Sequence, residues 1–336
     1  MAKHTIVLIP GDGIGPEVTS AAKRVIDAAG LQAEWVELPA GAGALDQGHD
    51  NVLPQRTLAA IQAHKVALKG PVTTPVGKGF QSVNVQLRKK LNLYAAVRPV
   101  QNVPGVKTRF DNVDIVVIRE NTEGLYSGIE NEVTPGVVTS LKVATELACT
   151  RIARYAFRYA TRRQRKKITV FHKANIMKLT DGMFLNAARK IHEEEYPNIE
   201  YQEMIVDAGC MKLVQDPTKF DMLLMENLYG DLISDLCAGL VGGLGVVPGS
   251  NIGDEAAVFE AVHGSAPDIA GKGVANPLAV LMSGVMMLNH IHEEAIANKV
   301  RDAYRAVLSE GKTLTRDLGG TASTDGFADA VIAQFR

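Results

Sequence analysis

Residues 9–17 read Ile9-Pro-Gly-Asp-Gly-Ile-Gly-Pro-Glu17. They follow a β-rich run, Thr5–Ile9, and precede Val18, Ala21, Ala22, Val25, Ile26 and Ala29, which recur at helical spacing before Gly30. A glycine-rich strand-to-helix junction is where a dinucleotide-binding fold carries G-x-G-x-x-G, with an acidic residue about 20 positions on. Glu34 and Glu37 lie in that region. The fingerprint needs a glycine at position 16, and this chain has Pro16. Proline suits the first turn of a helix but does not supply that glycine. Two readings follow: a degenerate dinucleotide site, or a loop whose backbone must approach a ligand or another segment closely.

Outward from this stretch, strands and helices alternate. Lys65–Lys69, Val113–Ile118, Ile168–Phe171 and Met222–Met225 read as strands, and Ala144–Thr161 and Asp231–Leu240 as helices. That rhythm predicts an α/β sheet with helices on its faces. Two segments break it. Ser127–Ser140 has short β-prone pieces and a proline, suiting an arm that pairs with a second chain. Gly242–Gly253 is glycine-rich and suits a crossing between domains. A length of 336 residues fits two domains or one large one. Lys+Arg number 36 and Asp+Glu 37, a net charge of −1, so no global field draws the chain to nucleic acid or an anionic membrane. The basic run Arg162–Lys167 reads as a solvated turn. No apolar run approaches the roughly 20 residues of a membrane helix. The opening MAKHTIVLIPGDG does not read as a signal peptide, and three cysteines lack metal-like spacing. A cytoplasmic location is the expectation.

Several residue types carry chemistry. Arg88, Arg98 and Arg119 sit near the ends of separate elements. They read either as scattered surface charges or as guanidinium forks converging on a polyanion. Ser82 and Asn84 precede them as neutral hydrogen-bonding groups. Asp231 and Asp235, spaced i, i+4, share a helix face. They are either solvated or held together by a hard cation, Mg²⁺ or Mn²⁺, with Asp207 a candidate third ligand. Lys173, just past a strand, can act as a base, and Tyr126 can supply a proton. His172 reads as packing, and Glu226 has no assigned role. The segment Glu260–Pro277 is dense in Gly, Pro, Asn and small residues, as ordered ligand loops are.

Taken together, IPGDGIGPE (9–17), LRKKLNLYAAVRP (87–99), RENTEGLYSG (119–128), NLYGDLISD (227–235) and HGSAPDIAGKGVANP (263–277) resemble, in order, the β-decarboxylating dehydrogenases. These are the isocitrate, homoisocitrate, isopropylmalate and tartrate/malate enzymes. The resemblance spans Ile9 to about Phe327. It implies an isopropylmalate/isocitrate dehydrogenase-like α/β fold that is not Rossmann. A large domain would comprise 1–94 and 242–336, and a small domain 95–241, with a dimer clasp around 127–144. It implies NAD held by Thr73, His263, Gly264, Ser265, Ala266, Pro267, Asp268, Ile269 and Asn276, with Thr74 in the same cleft. Arg88, Arg98 and Arg119 would bind substrate carboxylates. Asp231 and Asp235 would hold Mg²⁺ or Mn²⁺, with Asp207 and the base Lys173 contributed by the partner of a homodimer, and Tyr126 would protonate the product carbon. Ser82 and Asn84 resemble the isocitrate pattern, where they meet a further carboxylate. Homoisocitrate and 3-isopropylmalate are the substrate alternatives, and a regulatory subunit the non-enzymatic one. NADP-using relatives have Lys-Tyr where this chain has Asp268-Ile269, which implies NAD.

Overall fold

The computed structural model describes residues 3–73 and 81–335. Strands β1 (His4–Ile9), β2 (Ala33–Glu37), β3 (Val66–Lys69), β4 (Ala95–Gln101) and β5 (Asp114–Glu120) come first. A hairpin of β6 (Gly124–Thr134) and β7 (Val137–Val143) follows, then β8 (Lys167–His172), β9 (Glu200–Ile205), β10 (Met222–Met225), β11 (Pro248–Ile252) and β12 (Ala257–Ala261). The first helices are α1 (Gly15–Ala28), α2 (Ala42–Asp46), α3 (Gln55–His64) and α4 (Val83–Lys90). The middle of the chain adds α5 (Glu146–Arg162), α6 (Thr180–Glu195), α7 (Val206–Gln215) and α8 (Asn227–Leu240). The C-terminal part adds α9 (Leu278–His290), α10 (Glu294–Glu310) and α11 (Thr324–Ala333).

Ten strands form one sheet in the order β2-β1-β3-β12-β11-β4-β5-β10-β8-β9. The outer strands pair in parallel, as βαβ alternation predicts. The middle does not: β11 is antiparallel to both β12 and β4, and β4 to β5. Gly242–Gly253, expected as a crossing between domains, therefore contains a strand, paired along its length to β12 and over Ser250–Ile252 to β4. The β11–β4 pairing is the seam between strands drawn from 4–69 and 248–261 and strands drawn from 95–225.

Side chains alternate across the sheet, so each strand feeds two cores. On β1, Ile6 and Leu8 pack with α1, α9, α10 and α11, while Val7 and Ile9 pack against α3 and α4. On β10, Leu223 and Met225 face α7 and α8, while Met222 and Leu224 face α5 and α6. Helix α5 illustrates the sequence logic. Ala148, Cys149, Ile152, Ala153, Ala156, Phe157 and Ala160 form its buried stripe, and the Thr145 side chain caps it by accepting from the Ala148 N–H. The helices cover each half of the sheet but leave the seam open, which makes a cleft on each face.

The β6–β7 hairpin stands outside the main sheet. Gly136 takes its turn at φ +81°. Ile129, Val133, Val137, Val138 and Leu141 are all exposed along it. The expected arm at 127–144 is thus a two-stranded ribbon with an uncovered apolar surface.

Candidate active site

Cross-strand register places Lys69, Glu260, Asn251, Arg98 and Arg119 on one face of the sheet, beside the seam. There they line or underlie a cleft of about 260 Å³ shared by Ser82, Asn84, Arg88, Tyr126, Asp231, Asp235, His263 and Gly264. The three arginines do converge. Arg119 is fully buried at the end of β5, and Arg88 and Arg98 are nearly so. Arg119 donates from Nε and Nη2 to Asn227 Oδ1 at 3.0 and 2.7 Å and pairs with Asp231. Arg88 Nε and Arg98 Nη1 are buried without a partner among the described residues. Both residues line the cleft, and a buried guanidinium donor left unmet is costly unless an anion or another acceptor completes it. Burial, with the nearby Arg119 charge, lowers the Arg88 guanidinium to about 10, and Arg98 is lowered for the same reasons.

A buried pair supports this cationic wall. Lys69 Nζ meets Glu260 Oε2 at 2.6 Å, Asn251 Nδ2 donates to Glu260 Oε1 at 2.6 Å, and Asn121 Nδ2 donates to Asn251 Oδ1 at 2.9 Å. Burial pushes the Glu260 carboxyl up, but Lys69, Arg88 and Arg98 outweigh it and hold it at about 2. Sequence reading assigned none of these supports a role.

Opposite the arginines, Asp231 and Asp235 project from α8. That helix starts at Asn227, four residues earlier than periodicity predicts, because Asn227 is buried beneath Arg119. Tyr126 donates its hydroxyl proton to Asp231. Burial raises Asp231, and Arg119, the Tyr126 hydrogen bond, Arg98 and Arg88 together more than reverse it. Asp235 is raised by burial and by the Asp231 charge, against the pull of Arg98. Burial, and then the hydrogen bond to Asp231, raise the Tyr126 hydroxyl. Two hard carboxylates on one helix turn, one of them poorly compensated, fit a divalent cation. Among the described residues of one chain no third acidic, His or Cys group joins them.

Asp207 and Lys173 do not line this cleft. Lys173 Nζ meets Asp207 Oδ1 at 2.5 Å on an open surface where Asp207 is 68% exposed. Asp207, expected just after a strand, lies in the first turn of α7. Glu226 has a partner after all. It meets Lys142 Nζ of the hairpin at 2.6 Å, and burial raises it to about 7 despite that contact. Lys142 also pairs with Asp181, which accepts from the Lys173 backbone N–H at 2.6 Å. The hairpin is thereby tied to the segment carrying Lys173.

Residues 263–277 form a loop against the 9–17 stretch. Ile14 N–H donates to the Ser265 carbonyl at 2.9 Å, and a Cβ on Gly13 (φ +60°) would overlap that oxygen. Thr73 Oγ1 lies 2.7 Å from Ser265 Oγ. Close approach to another segment, rather than to a dinucleotide, explains the glycines. His263 is lowered by burial, and its Nε2 lacks a partner among the described residues. Asp268 is exposed, and Ala266 and Ile269 pack partly against the core. Asn276 is occupied: it donates to Asp317 at 2.9 Å and accepts from the Leu278 N–H at 2.9 Å. Pro267 is exposed beside Asp268. Thr74 lies outside the described residues.

A seam cleft with unmet guanidinium donors on one wall and paired carboxylates on the other defines a binder of small polyanions, able to carry a hard cation. The chain belongs to the isocitrate/isopropylmalate dehydrogenase family, whose model matches residues 5–331. It is 52% identical over 328 residues to the mitochondrial NAD isocitrate dehydrogenase catalytic subunit 5 of Arabidopsis thaliana, covering 97% of this chain and 87% of that one. It is 50% identical over 306 residues to the chloroplastic 3-isopropylmalate dehydrogenase of Solanum tuberosum, covering 91% and 85%. The crystal structure of isocitrate dehydrogenase from Methylococcus capsulatus superposes with a TM-score of 0.95 at 49% identity, covering 99% of each chain. Both plant relatives are named as organellar, which gives the cytoplasmic expectation no support. Among the described residues no helix is long and apolar enough to cross a membrane.

Proposed function

We propose that this chain oxidatively decarboxylates isocitrate to 2-oxoglutarate and CO₂, using NAD and a divalent cation, from a site completed by a second copy of itself. The observation that carries the reading is the pair of buried donors on Arg88 and Arg98, unpartnered among the described residues, in the cleft that Asp231 and Asp235 also line. Such an arrangement suits a polycarboxylate bridging to a cation. When bound, the cation supplies Lewis acidity at the substrate hydroxyl and NAD supplies the hydride acceptor.

The chain's own residues do the rest. Arg88, Arg98 and Arg119 fix the substrate carboxylates. Asp231 and Asp235 hold the cation, with Asp207 of the second copy as a further ligand. Lys173 of that copy, free of its own-chain pairing once Asp207 is engaged, accepts the hydroxyl proton at Nζ. Tyr126, kept protonated by its raised pKa, delivers its proton to the carbon that has lost CO₂. The division into a discontinuous large domain (1–94, 242–336) and a small domain (95–241) follows the β11–β4 seam. The exposed apolar ribbon at 127–144 is the surface through which two copies pair.

Substrate choice rests on Ser82 and Asn84. Ser82 and Asn84 line the cleft, where their hydroxyl and amide N–H groups can donate to a third carboxylate and an isopropyl group would leave them unsatisfied at about 1–3 kcal/mol each. The exposed Asp268 carboxylate suits ribose hydroxyls and opposes a 2′-phosphate, which favours NAD. Tyr126, Lys173, Asp207, Asp231 and Asp235 are all retained, which argues against a regulatory subunit. The test is a rate comparison for isocitrate, homoisocitrate and 3-isopropylmalate, each with NAD and NADP. The reading expects the highest kcat/KM for isocitrate with NAD, and a higher value for any other pair would overturn it.

A further inference from the structure

The proposed reaction gives no role to Asp12, in the middle of the 9–17 stretch, yet three segments of the chain converge on it. Its carboxylate accepts the backbone N–H groups of Ala42 and Gly43, at the start of α2, at 3.0 and 2.7 Å. It also accepts the backbone N–H of Thr73 at 2.6 Å. The Asp12 N–H in turn donates to the Pro71 carbonyl at 2.7 Å. One residue therefore grips the 71–73 segment at two points, by main chain and by side chain.

Glycines make room for this grip. Gly41 has φ +98°, and the three atoms nearest to a Cβ placed there all belong to the Asp12 carboxylate, Oδ2 at 1.9 Å. A side chain at position 41 would push that carboxylate away from Thr73. Gly11 has φ +81°, and a Cβ there would lie 2.0 Å from the Pro71 carbonyl oxygen.

The grip bears on the cleft edge. Thr73 is exposed and lies in irregular backbone, so packing does little to fix it. Its hydroxyl meets Ser265 of the 263–277 loop at 2.7 Å. Hydrogen bonds to an ionised group are roughly twice as strong as neutral ones, so the Asp12 contact outweighs the Ser265 contact. The far end of the loop is held separately. Gly273 N–H donates to Glu17 at 2.9 Å, and Thr324 Oγ1 donates to the Ala275 carbonyl at 2.6 Å. Loss of the Asp12 carboxylate would release the Thr73 side and leave that end docked.

We propose that Asp12 is a positioning residue of the cofactor site, its carboxylate fixing the backbone at Thr73 and so the edge of the cleft against which NAD lies. Asp12 acts through Thr73 and not on the reacting atoms. The inference rests on the proposed reading that Thr73 and the 263–277 loop hold NAD. An amide is a poor substitute. Two donors converge on Oδ2 and a third on Oδ1, whereas Asn has one acceptor oxygen and turns its NH₂ group toward an N–H.

The test is calorimetric titration of the intact protein with NAD, with steady-state kinetics on isocitrate, for the parent, Asp12→Ala, Asp12→Asn and Gly41→Ala. Asp12→Ala is expected to weaken NAD by about tenfold or more and to raise KM for NAD in step. Its kcat at saturating NAD and its KM for isocitrate should stay within about twofold of the parent. Asp12→Asn should fall between the two. Gly41→Ala, with Asp12 present but displaced, should reproduce the weaker NAD binding. A merely structural role would lower Tm and kcat and leave KM for NAD unchanged. Parent-like NAD affinity in Asp12→Ala or in Gly41→Ala, or an equal rise in KM for isocitrate, would overturn the assignment. Should Asp12→Ala not fold, Asp12→Asn and Gly41→Ala decide it, and should isocitrate not turn over, the calorimetry does. A parent that binds no NAD overturns the proposed cofactor site and this inference with it. A parent and variants that bind NAD equally overturn the role of Asp12 alone.

Discussion

Glu260 is held at about 2 by Lys69 and the two arginines beneath the cleft. Its folded pKa lies below the ordinary carboxylate value, so its contribution to stability is fully present above that ordinary value. The contribution fades as pH falls toward 2. Glu260→Gln strands Lys69 and should cost about 3–5 kcal/mol in denaturant titrations at neutral pH. The gap from the parent should shrink below about pH 4, where the parent loses the same contribution. A gap that stays constant with pH would count against the pairing. At the cleft mouth, Ser82→Leu with Asn84→Leu should weaken isocitrate far more than 3-isopropylmalate, by tens of fold in relative kcat/KM from the roughly 1–3 kcal/mol per lost polar contact. An unchanged ratio removes the substrate argument. Asp268→Lys with Ile269→Tyr should raise kcat/KM with NADP by about tenfold or more, since a charge-assisted contact replaces a repulsion. The arginines and aspartates of the cleft were legible in the sequence because their spacing and motifs mark them. Lys69 and Glu260 were not. Lys69 ends a short strand and Glu260 is the last residue but one of another, where a charged residue reads as solvent-facing, and only the β3–β12 pairing brings the two together.

At the scale of elements, the 9–17 loop and the 263–277 loop hold each other. Gly13→Ala places a Cβ in left-handed backbone against the Ser265 carbonyl. It should cost about 1–3 kcal/mol. Because the displaced loop is the proposed cofactor site, KM for NAD should rise with it. Normal Tm and normal KM together would contradict the docking. The missing third glycine of the dinucleotide fingerprint was visible in the sequence, but the partner of Gly13 was not, since Ser265 lies some 250 residues away. Helix α8 shows the same limit. Periodicity located its acidic face, while its first turn is set by Asn227 under Arg119, a contact no local pattern encodes. The strand within Gly242–Gly253 was hidden because Gly249, Ser250 and Asn251 are poor strand formers; β12 pairs with all three and β4 with Ser250 and Asn251 as well.

Across the whole molecule, the seam decides what the protein can do. Parallel halves meet through antiparallel strands, and the cleft that opens over them gathers charges from both. Yet within one chain Lys173 and Asp207 stay outside that cleft, paired with each other on an open surface, and the β6–β7 ribbon leaves its apolar face uncovered. In the proposed reading, a second copy of the chain supplies what each lacks. Mixing two inactive variants tests this most directly. Lys173→Met and Asp235→Asn should each abolish isocitrate turnover as homodimers. In a shared-site dimer, one of the two sites in each mixed pair has an intact Lys173 and an intact Asp235. Co-refolding the variants in equal amounts should therefore restore about a quarter of the parent activity. A mixture as inactive as its components, with dimers confirmed by mass, would contradict a site built from two chains.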